Sequence, residues 1–411
     1  MDSVEVPSDK LGLSIWGPFQ YIAIATGQVI PIAPKDVKSI KALFHMIPNV
    51  FVSVVLLANV IYTFVRLDNK GLSVNWMYSN SLSFIAIHAF VASLSLMGMK
   101  FRNYFDNVEQ MLRKATKNEL TITKKRRWPV MVFRIIYSLI IIASMAFYCA
   151  ETFLLFDVTV VLPRKLNVSH DDIQAFRESM FGWQPLFVID TIIMIYGAVL
   201  SAVALMIYLC ANNATCLEYI QFNKNLKECI DDRSILKVPV IESFESQMID
   251  FMSLMKFLTF NARGVLIVSF LIGVMLHFFS SFAVRAFKEY LMWGNVTFSL
   301  WIIVSLIFVV SSTYPFAQFY FLMKETQDML QLDHEIFSPT TDDDVKVIAK
   351  NMISRLNTFD YGVTNIISPV SANRIRDALL TGLTIVVGCF IQSSYVPPFL
   401  IQVAQYRESR G

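Results

Sequence analysis

The sequence predicts an all-α protein that crosses a membrane seven times, with its N-terminus inside and its C-terminus outside. Three observations carry that prediction. Of the 411 residues, 55% are hydrophobic and only 16% are charged, with a mean hydropathy of +0.52, where soluble domains carry about 25% charged residues. The apolar residues gather into runs of about 20 or more, the length that spans a hydrocarbon core roughly 30 Å thick. The polar connections between the runs are basic on alternate sides. With 14 Gly, 14 Pro and 5 Cys, the composition excludes fibrous, disordered and disulfide-framework classes. The net charge of +3 comes from loop lysines and arginines and implies no nucleic-acid partner.

Residues 43–65, 78–99, 129–155, 183–212, 257–284, 296–323 and 377–396 are the seven candidate spans. Each must be helical, because backbone amides in lipid have to pair within their own segment. An earlier apolar stretch, 11–34, is interrupted by Gly12, Gly17, Pro18, Gly27, Pro31 and Pro34. It reads as an interfacial or re-entrant segment, with an eighth span as the alternative. No basic n-region precedes it, so it does not read as a signal peptide.

Orientation follows from counting Lys and Arg in the connections. One side, holding residues 35–42 and the second, fourth and sixth loops, has 23, and the other has 9. The richer side is cytoplasmic. Asn167-Val168-Ser169 is then a glycosylation acceptor in an outer loop. Cys149, Cys210 and Cys389 fall in spans, and Cys216 and Cys229 fall in the inner fourth loop, so no outer-loop disulfide is expected. Lys124-Lys-Arg-Arg127 fixes topology or touches anionic lipid.

The inner loops are long and read as helical: the fourth covers 213–256 and the sixth 324–376. In the sixth, Ser338-Pro-Thr-Thr-Asp342-Asp343-Asp344 is an acidic helix start. Val345, Ile348, Met352 and Leu356 then recur at helical spacing, a stripe that would dock on the fourth loop. The chain thus divides into a cytoplasmic N-terminal segment (1–42), six spans with helical inner loops (43–323), a cytoplasmic helical anchor (324–376) and a final span with a short outer tail (377–411).

Ionisable residues inside spans are functional candidates because burying a charge is costly. Arg134 and Arg263 lie near the inner ends of the third and fifth spans and would snorkel. Glu151 and Asp190 fall in the outer halves of the third and fourth spans. Near them lie Tyr148, Phe153, Trp183, Phe187, Tyr196 and, on the fifth span, His277 and Phe278. Apolar walls with a few polar groups suit a small-molecule pocket, although each acid could equally serve an interfacial hydrogen bond. His88, alone in the second span, reads as an interhelical hydrogen-bond donor.

On the last span Thr381, Thr384, Gly388, Gln392 and Tyr395 share an arc of about 80°. Such a stripe suits either a water-filled pathway or a close helix seam. It carries no Asp or Glu, so strong discrimination among cations is not expected. Pro397-Pro398 would end the helix at the outer mouth. Enzymatic chemistry has little support, since phosphate loops, zinc spacings and nucleophile elbows are absent. Asp333-His334-Glu335 reads as a solvated face rather than a metal site, and no cofactor or metal is expected. Seven spans with the N-terminus inside reverse the topology of a G-protein-coupled receptor, and the Asp-Arg-Tyr and Asn-Pro-x-x-Tyr signatures of that class are missing.

The run Asn357-Thr-Phe-Asp-Tyr-Gly362, continuing to Arg374-Ile-Arg376-Asp377-Ala-Leu379-Leu380-Thr-Gly382 and a last apolar helix, resembles the close of the insect gustatory and odorant receptor superfamily. Length, span number, topology and long inner loops are similar to that family too. The family's terminal pattern is Thr-Tyr, five apolar residues and Gln-Phe. Its nearest equivalent here is Thr384-Ile385 with Gln392-Ser393, and Thr313-Tyr314 with Gln318-Phe319 imitates it in the sixth span. The chain is therefore similar to a divergent, gustatory-like member. The resemblance implies a chemosensory, ligand-gated and non-selective cation channel in the plasma membrane. It further implies a tetramer, either of one chain or mixed with a co-receptor, a homo- or hetero-tetramer whose pore is lined by Thr381, Thr384, Ile385, Gly388, Gln392 and Tyr395. A secondary transporter of a small solute is the alternative. It would call for a broken helix at the midplane, for which Thr313-Tyr314-Pro315 is the one candidate.

Overall fold

The computed structural model describes residues 15–16, 18–25, 40–65, 74–117, 127–158, 186–286 and 292–359. Among these it is all-helical. In chain order the helices are α1 (Pro18–Ala25), α2 (Ile40–Val65), α3 (Val74–Phe101), α4 (Tyr104–Ala115), α5 (Arg127–Val158), α6 (Phe187–Asp231), α7 (Val238–Ala286), α8 (Met292–Leu332) and α9 (Asp343–Thr358). Six of them, α2, α3, α5, α6, α7 and α8, are long and apolar enough to cross a membrane, and they coincide with the first six candidate spans. The seventh candidate, the glycosylation acceptor Asn167, Cys389 and the pore candidates lie outside the described residues.

Three helices outrun the apolar runs that predicted them. α6 has 45 residues, α7 has 49 and α8 has 41. Residues 213–231 lose apolar character but contain no Gly or Pro, so nothing stops α6 until Arg233 turns the chain at a left-handed φ of 63°. A single 3-10 turn, Ser234–Leu236, leads into α7, which carries Pro239 in its first turn where the missing N–H costs nothing. The expected fourth loop is therefore an antiparallel extension of two spanning helices. The sixth span continues unbroken through Pro315, so the midplane break that a transporter would need is not at Thr313-Tyr314-Pro315.

These extensions carry their own core. Tyr219 and Phe222 of α6, Phe251 of α7 and Phe319 of α8 meet with ring centroids 5.1–5.9 Å apart. The Tyr219 hydroxyl and Thr326 Oγ1 are 3.0 Å apart, and Asn223 Nδ2 donates to the Leu322 carbonyl at 3.0 Å. Two short helices close over this core. α4 lays Val108, Leu112 and Ala115 against α7 and ties Lys114 to Asp250 at 2.8 Å. α9 starts where the Asp342 carboxylate accepts from the Asp344 amide at 3.0 Å. It packs on α7 and α8 through fully buried Val345, Ala349 and Met352, with Leu356 nearly so. Ile348 is only partly buried. The hydrogen bond and charge of Lys346 hold the Asp343 carboxyl below the usual carboxylate range.

Asp333-His334-Glu335 sits in the turn after α8 rather than on a helix face. Asp333 caps the Glu335 amide at 2.8 Å, and Arg233 pairs with Glu335 at 2.7 Å, joining the two inner turns. At the other side of the inner core, fully buried Trp16 packs on Tyr104 and Phe105 at 5.9 and 4.9 Å. With only eight residues, α1 is too short to cross a bilayer.

Candidate functional site

The polar residues of the spanning bundle face inward, as hydrogen-bond economy in lipid demands. His88 of α3 is fully buried at its centre. Its Nδ1 lies 2.9 Å from Ser201 Oγ on α6, its Nε2 lies 2.8 Å from Ser269 Oγ on α7, and its ring stacks on Phe308 of α8 at 4.1 Å. Ser269 donates its one proton to the Val265 carbonyl, which assigns His88 Nε2 as donor and Nδ1 as acceptor. His88 thus joins four helices as a fully bonded pin.

Arg134 does not snorkel. It is 7% exposed, and its guanidinium donates to Cys210 Sγ and the Leu209 carbonyl, both at 2.9 Å. Arg263 does reach outward, over the ring of Phe260 at 4.8 Å. α6 passes close to α3 because Gly197 leaves room for Ala89, whose Cβ would lie 3.0 Å from any Cβ at 197.

The richest aromatic cluster lies at the end of the bundle where α5 and α7 finish and α3, α6 and α8 begin. Tyr78 of α3, Tyr148 of α5, and Phe298 and Trp301 of α8 form a closed box with centroids 4.5–6.0 Å apart. Trp301 is completely buried, yet its Nε1–H finds no acceptor among the described residues. A buried donor left unbonded costs about 1–3 kcal/mol, so this N–H is poised toward any acceptor that enters. Asp190, 6% exposed, sits in the first turn of α6 at the same end, where the positive end of the helix dipole steadies a carboxylate. His277 of α7 reaches Ser305 of α8, one turn beyond Trp301, at 3.2 Å.

The box is filled by its own rings. A narrow, partly open crevice with room for about one water molecule lies one helical turn deeper, lined by Leu56, Asn59 and Thr63 of α2, Leu82 and Ala89 of α3, Met145 of α5, and Met194 and Gly197 of α6. Leu82, Met145 and Met194 are each one turn from Tyr78, Tyr148 and Asp190, so the crevice lies about one turn from the box along the bundle.

Of the sequence candidates, Tyr148, Asp190 and His277 gather at this end. Phe278 does not join them: it is 48% exposed on the outside of the bundle, while its neighbour Phe279 turns inward onto Trp76 and Phe84 at 5.3 and 5.6 Å. Tyr196 is half-buried against the core. Trp183 and the side chains of Glu151, Phe153 and Phe187 lie outside the described residues. The sequence reading missed Tyr78, Phe298 and Trp301. The only signal was the pair of large aromatics three apart on the sixth span, a spacing that puts them on one helix face. Among the described residues, no group of three or more His, Cys, Asp or Glu side chains is placed to hold a metal.

A family model described as "Caenorhabditis protein of unknown function, DUF267" matches residues 15–380. The chain belongs to this family. No curated protein matches this DUF267 chain, but solved structures do. The insect olfactory receptor OR5 from Machilis hrabei, in complex with eugenol, has a TM-score of 0.60 at 8% identity, covering 94% of this chain and 100% of the receptor. A second structure of that receptor gives 0.50 at 10% identity, covering 93% and 98%. The DUF267 chain therefore shares the fold of an insect olfactory receptor over nearly its whole length.

Proposed function

We propose that the protein is a chemosensory receptor that is itself a ligand-gated, weakly selective cation channel of the plasma membrane. The observation that carries this reading is the buried Trp301 donor, without an acceptor among the described residues, inside an aromatic box in a fold shared with a receptor solved in complex with eugenol. Rings at edge and face suit a small apolar or aromatic ligand, and the Trp301 N–H selects one that carries an oxygen acceptor. Tyr148, Asp190 and His277 line or flank this site, with Glu151, Trp183 and Phe187 as further contributors. Because the rings come from three helices, a ligand that spreads the box changes how α3, α5 and α8 pack. It favours opening only by its preference for the spread arrangement.

In this reading the N-terminus is inside and the C-terminus outside, as the basic side of the connections requires. The ligand site then lies in the outer half of the bundle, and Asn167 is a glycosylated outer residue. The final span, 377–396, lines a pore on the axis of a homo- or hetero-tetramer, while the inner segment 324–376 is a cytoplasmic helical anchor. Thr381, Thr384, Ile385, Gly388, Gln392 and Tyr395 border the pathway. Hydroxyls and an amide replace part of a cation's hydration there, and the lack of a carboxylate ring keeps selectivity weak.

Cysteines at 384, 388, 392 and 395 are expected to react with a small water-soluble thiol reagent applied from outside, faster while agonist is present, whereas those at 386, 387 and 390 stay inert. Equal reactivity around the helix would make the polar stripe a packing seam and remove the last span from the pore.

A further inference from the structure

We infer that the junction of α3 and α7 is a binding site for the headgroup of an anionic phospholipid, built from Arg102, Arg263 and Phe260. The Arg102 guanidinium lies 4.7 Å from the centroid of the Phe260 ring, and that of Arg263 lies 4.8 Å from the same centroid. Two permanent positive charges are therefore held within about 10 Å of each other by one ring. Neither pairs with a carboxylate among the described residues. Like charges this close repel, and a phosphate between them converts that repulsion into two charge-assisted contacts of the kind arginine forks favour.

Arg102 is held in place from behind. Its Nη1 donates to Asn261 Oδ1 at 3.0 Å, and Asn261 Nδ2 donates to the Phe257 carbonyl of its own helix at 2.8 Å. Asn261 is 7% exposed, so the relay presents the guanidinium from a rigid wall.

A lipid, rather than a soluble anion, follows from where the patch sits. Down the outer face of α7, Lys256, Phe260, Arg263, Leu271, Met275 and Phe278 are all exposed at helical spacing. The first three are basic or aromatic and the last three wholly apolar. The stripe therefore changes from charge to hydrocarbon where α3 ends, at exposed Phe101 and Arg102. A headgroup phosphate at Arg102 and Arg263 would place its acyl chains along Leu271 and Met275. Under the orientation proposed above this is the inner leaflet, where anionic lipids concentrate.

The test uses purified full-length protein in detergent, with phosphatidylserine and phosphatidylcholine offered in equal amounts and bound lipid read by native mass spectrometry. It does not depend on orientation or on channel activity. The wild type is expected to retain phosphatidylserine in roughly tenfold preference, and Arg102→Gln/Arg263→Gln should bring the preference close to one. Phe260→Leu, which keeps the charges and loses the ring, should lower it severalfold, while Arg285→Gln in the last turn of α7 should leave it unchanged. No preference in the wild type, or wild-type preference in the double variant, would overturn the site. Displacement of the lipid by millimolar inorganic phosphate would overturn its assignment to a lipid.

Discussion

Trp301→Phe should raise the half-maximal agonist concentration about fivefold or more while leaving unitary conductance and surface amount near the wild-type values. Phenylalanine keeps an aromatic ring against Tyr78, Tyr148 and Phe298, so the box remains apolar and nearly filled. It removes the Nε1–H, a buried donor with no acceptor among the described residues. A ligand hydrogen bond contributes about 0.5–1.5 kcal/mol, and the reduced ring contact removes a further 0.5–1.5 kcal/mol or so. Together these correspond to a shift of roughly five- to 150-fold in concentration. Concentration–response curves with surface labelling measure it. An unchanged curve would return the box to a purely structural role.

Gly273→Ala should remove most folded protein from the membrane, whereas Gly98→Ala should not. The two substitutions add the same methyl group to the interiors of two spanning helices. At Gly273, where α7 crosses α8, the new Cβ would lie 2.7 Å from Val309 Cγ2, 2.9 Å from the Ser305 carbonyl oxygen and 3.2 Å from Phe308 Cβ. A backbone oxygen cannot swing aside, so the helices must part, which costs about 1–3 kcal/mol or more and pulls Ser305 from His277. At Gly98 nothing lies within 4 Å of the added carbon. Relief of the glycine's helix penalty, about 1 kcal/mol, then makes that change neutral or mildly stabilising. Thermal inactivation and monodisperse yield in detergent distinguish them, and equal behaviour of the two variants would contradict the α7–α8 packing described above.

The contrast between what the sequence disclosed and what it hid has physical causes. Six spans were legible because lipid demands a long apolar run, and that demand is written locally. Helix ends were not, because residues 213–231 and 240–256 leave the apolar zone without meeting a helix breaker. The start of α9 at Asp342 was legible, since capping is a matter of a few neighbouring residues. Arg134 was misjudged because its acceptors, Cys210 Sγ and the Leu209 carbonyl, sit about 75 positions away on another helix. The aromatic box was hidden for the same reason: Tyr78, Tyr148 and Trp301 come from three helices, and no local spacing links them. Between Phe278 and Phe279, only tertiary packing decides which ring turns inward.

The central claim, that this chain is a channel opened by a small molecule, is tested most directly by fusing the purified full-length protein into a planar bilayer with identical salt on both sides and recording current under voltage clamp. The account predicts unitary cation currents that appear on adding agonist, persist without any solute gradient and change by no more than a few fold between sodium and potassium. Agonist-dependent flux that needs a gradient of the agonist itself, with no unitary steps, would contradict it.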